Sequence, residues 1–396
     1  MRNKLKIIVV GCGVVGALIA YELSQQVDAE IVVLDRQKQP AQASTGAALG
    51  VLMGAISGKV KGRTWQLREA SIRRYRSLIS ELTAKGQVVP FNRQGIVSLC
   101  YEANKLPRWV SLKGKRETQG WPLEIWSPEQ LQAQCPHIDI VRANAEDESL
   151  KTVKAAIYSP SDAQVHPVQL THALVSVARS NGVTFCWNAA VKKLMMNGLH
   201  CVGVQTTERE LAADWVVLAA GLGSAALSQI VSSQIVSGEI DAEPLALMPV
   251  LGQAMEIQLS QTLGKPDFQP VINGDDIQFV PLGEGRYWIG ATVEFPDADS
   301  VHFSAESIKE IVPEADGLAK LKKGAEGFCG AIAHAKILKT WSGLRPRPVG
   351  QPAPVIKPLG NIKNVTLATG HYRNGVLLAP ATAQQICNLI SDNLFS

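Results

Sequence analysis

The 396-residue chain is long enough for two or three domain-sized units, and its content of 46% hydrophobic and 19% charged residues is that of an ordinary globular protein. The net charge of +4 comes without a dense lysine or arginine run, which argues against a nucleic-acid partner, and no apolar run reaches the roughly 18 residues of a membrane-spanning helix. The seven cysteines are scattered and free of C-x-x-C, and the seven histidines lack paired ligand spacing, so the sequence favours reduced thiols in the cytoplasm and predicts no metal site.

Residues 7–35 carry the clearest functional pattern. A short apolar run predicts a buried parallel strand, and a helix-forming segment and a second apolar run follow it. Three glycines at G-x-G-x-x-G spacing separate the first strand from the helix: Gly11, Gly13 and Gly16. The second run ends on Asp35. In such a unit the glycines permit a tight turn, close approach of the backbone to a pyrophosphate and close helix packing, while the acid accepts a hydrogen bond from a ribose hydroxyl. The stretch therefore predicts a dinucleotide site.

The next segments predict a loop near the ligand and several regular elements. Small residues dominate positions 44–50, which lets the backbone approach a flat ligand, although a plain glycine-rich turn is the alternative. Residues 63–84 predict an amphipathic helix, residues 94–101 a strand, and residues 127–130 a helix start with Ser127 as the N-cap.

The second half of the chain predicts further strands and two helices. The helices are expected at residues 167–181 and 376–391. Asn197 and Gly198 predict a hairpin turn between neighbouring strands. The strands are expected at residues 184–187, 191–196, 199–206, 215–219, 252–259, 277–282, 287–292 and 365–368. A glycine-marked strand end at residues 219–223 is expected at the sheet rim beside the same cofactor, and the alternating strands after residue 252 predict a separate sheet domain that covers it.

Two C-terminal motifs are specific: WSGLRP at residues 341–346 and GHYRNGVLLAPAT at residues 370–382. Supporting matches lie at residues 45–50, 252–253 and 289–294. With them, nearly the whole chain resembles the D-amino-acid-oxidase family of FAD-dependent oxidoreductases and, within it, the glycine oxidases of thiamine biosynthesis. The resemblance implies an α/β fold with a Rossmann-like FAD-binding domain and an inserted, mixed or antiparallel substrate sheet. It also implies FAD rather than NAD, bound non-covalently because no cysteine lies at residues 341–383.

The resemblance divides the chain into five segments. The FAD-binding domain is expected from residues 1–85, 151–235 and 336–396, and the substrate domain from residues 86–150 and 236–335.

Carried over by position, the resemblance also implies site residues. Arg345 would hold the substrate carboxylate, since its planar guanidinium can bind it through two hydrogen bonds; a structural ion pair is the alternative. Arg373 would lie nearer the flavin edge, with a structural ion pair equally open, and the helix after Asn374 would point its N–H groups at the flavin pyrimidine. His371 has no evident role as a base and is expected to be structural. The residues expected around FAD are Gly11, Gly13, Val14, Val15, Gly16, Asp35, Arg36, Thr45, Gly46, Ala47, Ala48, Gly50, Val191, Ala220, Gly221, Arg345, His371, Arg373, Asn374, Gly375, Val376 and Leu377.

The sequence departs from the family at Gln278, where glycine oxidases commonly carry a tyrosine over the substrate. We expect Gln278 to border a pocket that is roomier and more polar on that side, unless Phe279 or Tyr372 fills the gap.

The implied reaction is oxidation of a small amino acid: glycine, sarcosine or a D-amino acid. A hydride passes from Cα to flavin N5, and the products are an imine or keto acid, ammonia and H₂O₂; no protein base is required. Two alternatives stay open: a quinone-linked D-amino-acid dehydrogenase, and an FAD-containing RNA-modifying or partner module without a free amino-acid substrate. The expected partners are the amino acid and O₂ or another electron acceptor, and a homo-oligomer is compatible with the sequence.

Overall fold

The computed structural model describes residues 4–143, 150–234, 245–296 and 314–394. The helices in these ranges are α1 (Val14–Gln26), α2 (Gly62–Ala84), α3 (Leu106–Thr118), α4 (Pro128–Gln134), α5 (Pro167–Ser180), α6 (Gly223–Gln234), α7 (Ala315–Glu326) and α8 (Gly375–Leu394). The strands are β1 (Leu5–Val10), β2 (Ala29–Leu34), β3 (Val51–Leu52), β4 (Phe91–Asn92), β5 (Ile96–Cys100), β6 (Glu124–Trp126), β7 (Val141–Ala143), β8 (Leu150–Thr152), β9 (Ala155–Ser159), β10 (Ala163–Val165), β11 (Thr184–Cys186), β12 (Val191–Asn197), β13 (His200–Thr206), β14 (Glu210–Ala212), β15 (Trp215–Leu218), β16 (Leu247–Gln258), β17 (Val271–Gly274), β18 (Ile277–Gly283), β19 (Arg286–Gly290), β20 (Lys336–Pro348), β21 (Val355–Leu359) and β22 (Ile362–Thr369).

A six-stranded sheet is built on the first strand, in the order β11-β2-β1-β15-β22-β21. All neighbours in it run parallel except β21, which is antiparallel to β22. Along β1, Ile7 and Val9 pack into the core beneath α1, α5 and α8, while Ile8 and Val10 pack into a second core with β13 and α6. Both faces of this sheet are therefore covered, which explains why its strands read as continuous apolar runs.

The second sheet has eight strands in the order β20-β16-β19-β18-β17-β5-β9-β6. Phe279 and Ile289 pack on the face that α7 covers, whereas Val280 and Trp288 belong to the core shared with the six-stranded sheet. This alternation places one face of the eight-stranded sheet toward α1, α2 and α8. The predicted mixed α/β fold with a Rossmann-like sheet and a second, largely antiparallel sheet is confirmed.

Most predicted elements have the expected type, with shifted ends. The capping box at Ser127 and the turn at Gly198 both form. The strand predicted from residue 252 begins earlier, at Leu247, because residues 247–251 pair with β20. Pro249, within this extension, lies beyond the end of β19 and removes no hydrogen bond to that strand.

The five-segment division of the chain stays a prediction. Strands β9 and β20 pair within the eight-stranded sheet, although the division placed their residues with the FAD-binding domain. We therefore assign residues 155–159 and 336–348 to that sheet. None of the helices in the described part of the chain is both long enough and apolar enough to cross a membrane.

Candidate active site

The glycines after β1 sit where side chains have no room. Gly11 has φ of 101°, and a Cβ there would lie 2.6 Å from the Ala219 carbonyl oxygen. A Cβ on Gly16 would collide with the Gly11 carbonyl, so the third glycine allows α1 to pack against the turn. A Cβ on Gly13 would lie 3.0 Å from Thr45 Oγ1. The turn thus exposes bare backbone toward the loop that carries Thr45.

The N-terminus of α1 is capped by that loop. Gly13 is the N-cap residue and has no side chain to offer, so the Val14 N–H donates instead to Thr45 Oγ1 at 3.0 Å. The loop is also tied to the glycine turn by a hydrogen bond from Ala41 N–H to the Cys12 carbonyl at 3.0 Å. Thr45, 31 positions away in sequence, is therefore held at the positive end of the α1 dipole, where an anionic ligand would bind.

Asp35 directly follows β2 and lies beside the same turn. Its carboxylate accepts hydrogen bonds from the Cys12 N–H at 2.5 Å and the Gln37 N–H at 2.8 Å. Burial raises the pKa of this carboxyl above its ordinary value. Each oxygen accepts one backbone bond and keeps further acceptor capacity, so the predicted bond to a ribose hydroxyl is compatible with the geometry. Arg36, next in sequence, is exposed.

The small-residue loop packs directly on β20. Trp341 Nε1 donates to the Ala47 carbonyl at 3.1 Å, and Ser44 Oγ donates to the Leu344 carbonyl at 2.6 Å. A Cβ on Gly343 would collide with the Ala47 side chain. The loop that caps α1 and the edge strand that carries Arg345 therefore form one continuous wall.

Arg345 is a half-buried cation on this wall. Its Nη1 donates to the Leu251 carbonyl at 2.9 Å, and a Cβ on Gly252 would collide with the guanidinium, so glycine makes room for it. Burial first, and then the nearby Arg373 cation, lower the pKa of Arg345 from its usual value. Across the described ranges no carboxylate forms an ion pair with it; Glu294 bonds instead to Gln253, at 2.9 Å, and to Thr292.

A short turn, Tyr372–Asn374, leads into α8. Arg373 pairs with Asp276 at 3.4 Å, and Asn374 Oδ1 accepts a hydrogen bond from Arg68 Nη2 at 3.1 Å. The Tyr75 hydroxyl donates to the Val376 carbonyl at 2.5 Å, in the first turn of the helix. These contacts fix the N-terminus of α8 on the same side as Arg345.

His371 lies in the interior. Its Nε2 is 2.8 Å from Thr382 Oγ1, and burial lowers its pKa to about 3. The Thr382 hydroxyl donates to the Leu378 carbonyl, so His371 Nε2–H is the donor to Thr382. His371 is therefore a neutral side chain that links the turn to α8, in keeping with a structural role.

Gln278 is buried on β18. Its Nε2 makes a long contact of 3.5 Å with Met53 Sδ, and its Oε1 has no hydrogen-bond partner among the residues that the structure describes. Phe279 stacks on Tyr287 with ring centroids 4.3 Å apart, on the sheet face that α7 covers. Phe279 therefore does not fill the space beside Gln278.

The sequence profile of the DAO family, described as FAD dependent oxidoreductase, matches residues 6–389. The chain belongs to this family.

Its relatives include glycine oxidases. The bifunctional protein ThiO/ThiG of Nostoc sp. is 30% identical over 98% of this chain, and the glycine oxidase of Pseudomonas putida is 26% identical over 98% of this chain and 94% of its own length. The crystal structure of glycine oxidase from Bacillus cereus has a TM-score of 0.80 at 22% identity, covering 98% of this chain and 96% of the other. The chain spans about half the length of the first curated relatives it matches, 54% of the Nostoc protein.

The residues of this family member fit FAD. The bare turn at Gly11 and Gly13 meets the α1 N-terminus, as a pyrophosphate requires. Ala220 and Gly221 follow β15, which lies parallel to β1, so both strands end at the same edge. The remaining predicted FAD neighbours lie in the small-residue loop and at the starts of three elements. The loop holds Gly46, Ala48 and Gly50, and β12 begins at Val191. Helix α1 begins with Val14 and Val15, and α8 begins with Gly375, Val376 and Leu377. Their contacts with FAD stay predictions.

Three buried charged residues near the site were not found from the sequence. Asp162 accepts hydrogen bonds from the N–H groups of residues 54–56, each at 2.8 Å. Arg116 donates to the carbonyls of Ala55, Ser57 and Lys59. Arg68 donates to the Met53 carbonyl at 2.7 Å as well as to Asn374. Arginines in amphipathic helices usually face solvent, so their sequence context carried no signal.

Proposed function

We propose that the protein oxidises a small amino acid in an FAD-dependent reaction, with Arg345 binding the substrate carboxylate. The observation that carries this proposal is the half-buried Arg345 guanidinium, which forms no ion pair in the described part of the chain, although the Glu294 carboxylate is near enough to raise its pKa. A buried charge without a counter-charge is costly, and a substrate carboxylate would supply one through two parallel hydrogen bonds. The names of the relatives, which include glycine oxidases, support the same substrate class.

The protein's own contribution is binding and orientation. Tyr372 and Arg373, in the turn that leads into α8, lie close enough to Arg345 to affect its pKa, so a carboxylate at Arg345 would hold Cα at a fixed place beside the cofactor. Bound FAD would supply a hydride acceptor for the substrate, and the N–H groups at the positive end of α8 would favour negative charge beside them. Orientation of this kind supplies a large part of the rate without a protein base.

The roles of two further residues belong to the proposal. Arg373 reaches Asp276 only at 3.4 Å and is close enough to affect the pKa of Arg345, so it can assist in attracting an anionic substrate. Gln278 borders the pocket, and its side-chain carbonyl oxygen has no hydrogen-bond partner among the residues that the structure describes. We further propose that the imine hydrolyses to a keto acid and ammonia and that O₂ reoxidises the flavin to give H₂O₂.

The test is anaerobic reduction of the FAD-loaded protein by glycine, sarcosine and the D- and L-forms of small amino acids. We expect at least one of them to bleach the visible flavin absorbance within the time of a turnover. A flavin that dithionite reduces but no amino acid does would contradict the proposal. Admitting air afterwards should restore the flavin absorbance and release peroxide. If the absorbance recovers only after a quinone or dye is added, the electron acceptor is not O₂.

A further inference from the structure

We propose that Asn273 and Gln278 together form a subsite for the substrate side chain. The subsite would select amino acids whose side chain both donates and accepts a hydrogen bond, such as a carboxamide or a hydroxyl. The inference rests on the proposed function, because it extends the same pocket away from Arg345.

The two side chains project from the same point on neighbouring strands. Asn273 on β17 lies directly opposite Gln278 on β18. The turn between the strands consists of Asp275 and Asp276, both with positive φ (49° and 65°), as in a two-residue hairpin. The residues next to such a turn form the hydrogen-bonded pair, so Asn273 and Gln278 form the closer, non-hydrogen-bonded pair, with Cα atoms about 4.5 Å apart. Their side chains therefore share one face and stand close together.

Both side chains are buried and both carry an unused polar atom. Asn273 is 7% exposed and Gln278 is 8% exposed. Asn273 Oδ1 accepts a hydrogen bond from Ser98 Oγ at 3.1 Å, whereas Asn273 Nδ2 and Gln278 Oε1 have no partner within the described ranges. The pair thus presents one donor and one acceptor. Buried groups of this kind are nearly always paired in native proteins, so a ligand or water group is expected between them.

The register directs this pair toward the substrate. Gln278 lies opposite Gly290, and Gly290 lies opposite Ala254, so the three residues share the face of the sheet that carries Gly252. The Arg345 guanidinium covers Gly252. The distance from β16 to β18 is two strand spacings, or about 10 Å across the sheet. An amino acid bound at Arg345 would extend its side chain over small residues, along the Leu49 side chain that packs on Gly290, toward the pair.

A carboxamide matches both unused atoms. Its carbonyl oxygen can accept from Asn273 Nδ2 while its NH₂ group donates to Gln278 Oε1. An apolar side chain of the same shape would leave both protein groups buried and unpaired. Sites built to hydrogen-bond a substrate group reject analogues without it far more strongly than apolar pockets reject a missing methyl group. We expect discrimination on the order of 10- to 100-fold between asparagine and its isostere leucine.

The experiment compares second-order rate constants for anaerobic flavin reduction by asparagine and leucine, each in both enantiomers, with glycine alongside. The FAD-loaded wild type is compared with Asn273→Leu, Gln278→Met and the control Gln258→Met. Gln258 lies in the same sheet, where its Nε2 donates to the Leu259 and Glu284 carbonyls beside the turn between β18 and β19. We expect the asparagine-to-leucine ratio to fall toward one in the two subsite variants and to stay at the wild-type value in the control.

The experiment distinguishes failure of the subsite from failure of the proposed function. A wild-type ratio near one, or a ratio that survives in both subsite variants, would overturn the subsite while reduction by other amino acids leaves the proposed function standing. Absence of reduction by every amino acid would overturn the proposed function and the subsite together. If Asn273→Leu does not fold, the ratio in Gln278→Met decides the question alone.

Discussion

His371 is buried, with its Nε2 2.8 Å from the Thr382 Oγ1 of α8. Burial lowers its folded-state pKa to about 3, so the folded protein keeps the imidazole neutral. In the unfolded chain the pKa returns to its ordinary value of 6.5. Between these two values the unfolded state binds more protons, so this residue's contribution to stability is complete above pH 6.5 and is lost as the pH falls toward 3.

We therefore expect acidification to destabilise the protein through His371. At about pH 5, one and a half units below the unfolded pKa, the loss is about 2 kcal/mol. His371→Gln, which retains a donor for Thr382, should lose correspondingly less unfolding free energy between about pH 7.5 and about pH 5, measured by denaturant titration with saturating FAD. His172→Gln, at an exposed site on α5, controls for loss of a histidine. Equal losses in wild type and His371→Gln would contradict the burial argument.

For single residues, the sequence predicts a role where that role depends only on nearby positions in the chain. The spacing of Gly11, Gly13 and Gly16 is set by one turn and one helix, so their roles follow from the motif alone. The turn at residues 275–276 sets the pairing of Asn273 with Gln278, but the hydrogen bond from Ser98 on β5 comes from 175 positions earlier in the sequence. That long-range contact is not encoded near Asn273, so the role of this residue could be found only in the folded protein.

The segment between β3 and α2 is held from both sides. The Asp162 carboxylate accepts hydrogen bonds from N–H groups of residues 54–56, and the buried Arg116 guanidinium donates to carbonyls of residues 55–59. Arg116 also lies 3.4 Å from the centroid of the Trp65 ring. Met53, which contacts Gln278, is the first residue of this segment. The charged pair thus positions one wall of the proposed substrate pocket.

We expect Asp162→Asn to loosen that segment. An amide can replace only one of the two acceptor oxygens, and its NH₂ group would face a backbone N–H. The unfolding free energy should fall on the order of 1–3 kcal/mol, and protease cleavage within residues 54–60 should accelerate. Asp214→Asn is the matched control, because the Asp214 carboxylate is exposed and accepts a single backbone bond within the described ranges, from Lys6. Cleavage rates that rise equally in both variants would show that Asp162 does not hold the segment.

Among the elements, local patterns predict helices and tight turns well. The capping box at Ser127 and the hairpin at Gly198 are encoded within four residues and appear as expected. By contrast, the sequence gives no indication that β20 forms the edge of the eight-stranded sheet, since its partner β16 lies about 90 residues earlier. Long-range pairing of this kind determines where Arg345 lies, and only the family resemblance indicated its role.

On the scale of the whole molecule, two sheets enclose the site. One supplies the glycine turn and α8, and the other supplies Arg345, Gly252 and Gln278. The two meet through the loop that carries Thr45 and Ala47, which bonds to α1 on one side and to β20 on the other. The cofactor of this family would therefore bind where the two sheets face each other.

We expect FAD to be bound non-covalently. The C-terminal segment near the proposed flavin site, residues 341–383, contains no cysteine that could form a thioether. Acid precipitation of the purified protein should therefore release the yellow cofactor into the supernatant. Colour that stays with the precipitated protein would show a covalent link and contradict this expectation.

The variants Arg345→Ala and Arg345→Lys test whether Arg345 binds the substrate carboxylate. The measurement is kcat/KM for the best amino-acid substrate, normalised to the FAD bound by each variant. Removing the guanidinium should cost on the order of 2–5 kcal/mol of binding while FAD content stays near normal. Lysine should not restore activity, because a point charge cannot reproduce the planar pair of hydrogen bonds. If Arg345→Ala instead loses flavin or solubility while kcat/KM per bound flavin stays at the wild-type value, Arg345 is structural and does not bind the substrate carboxylate.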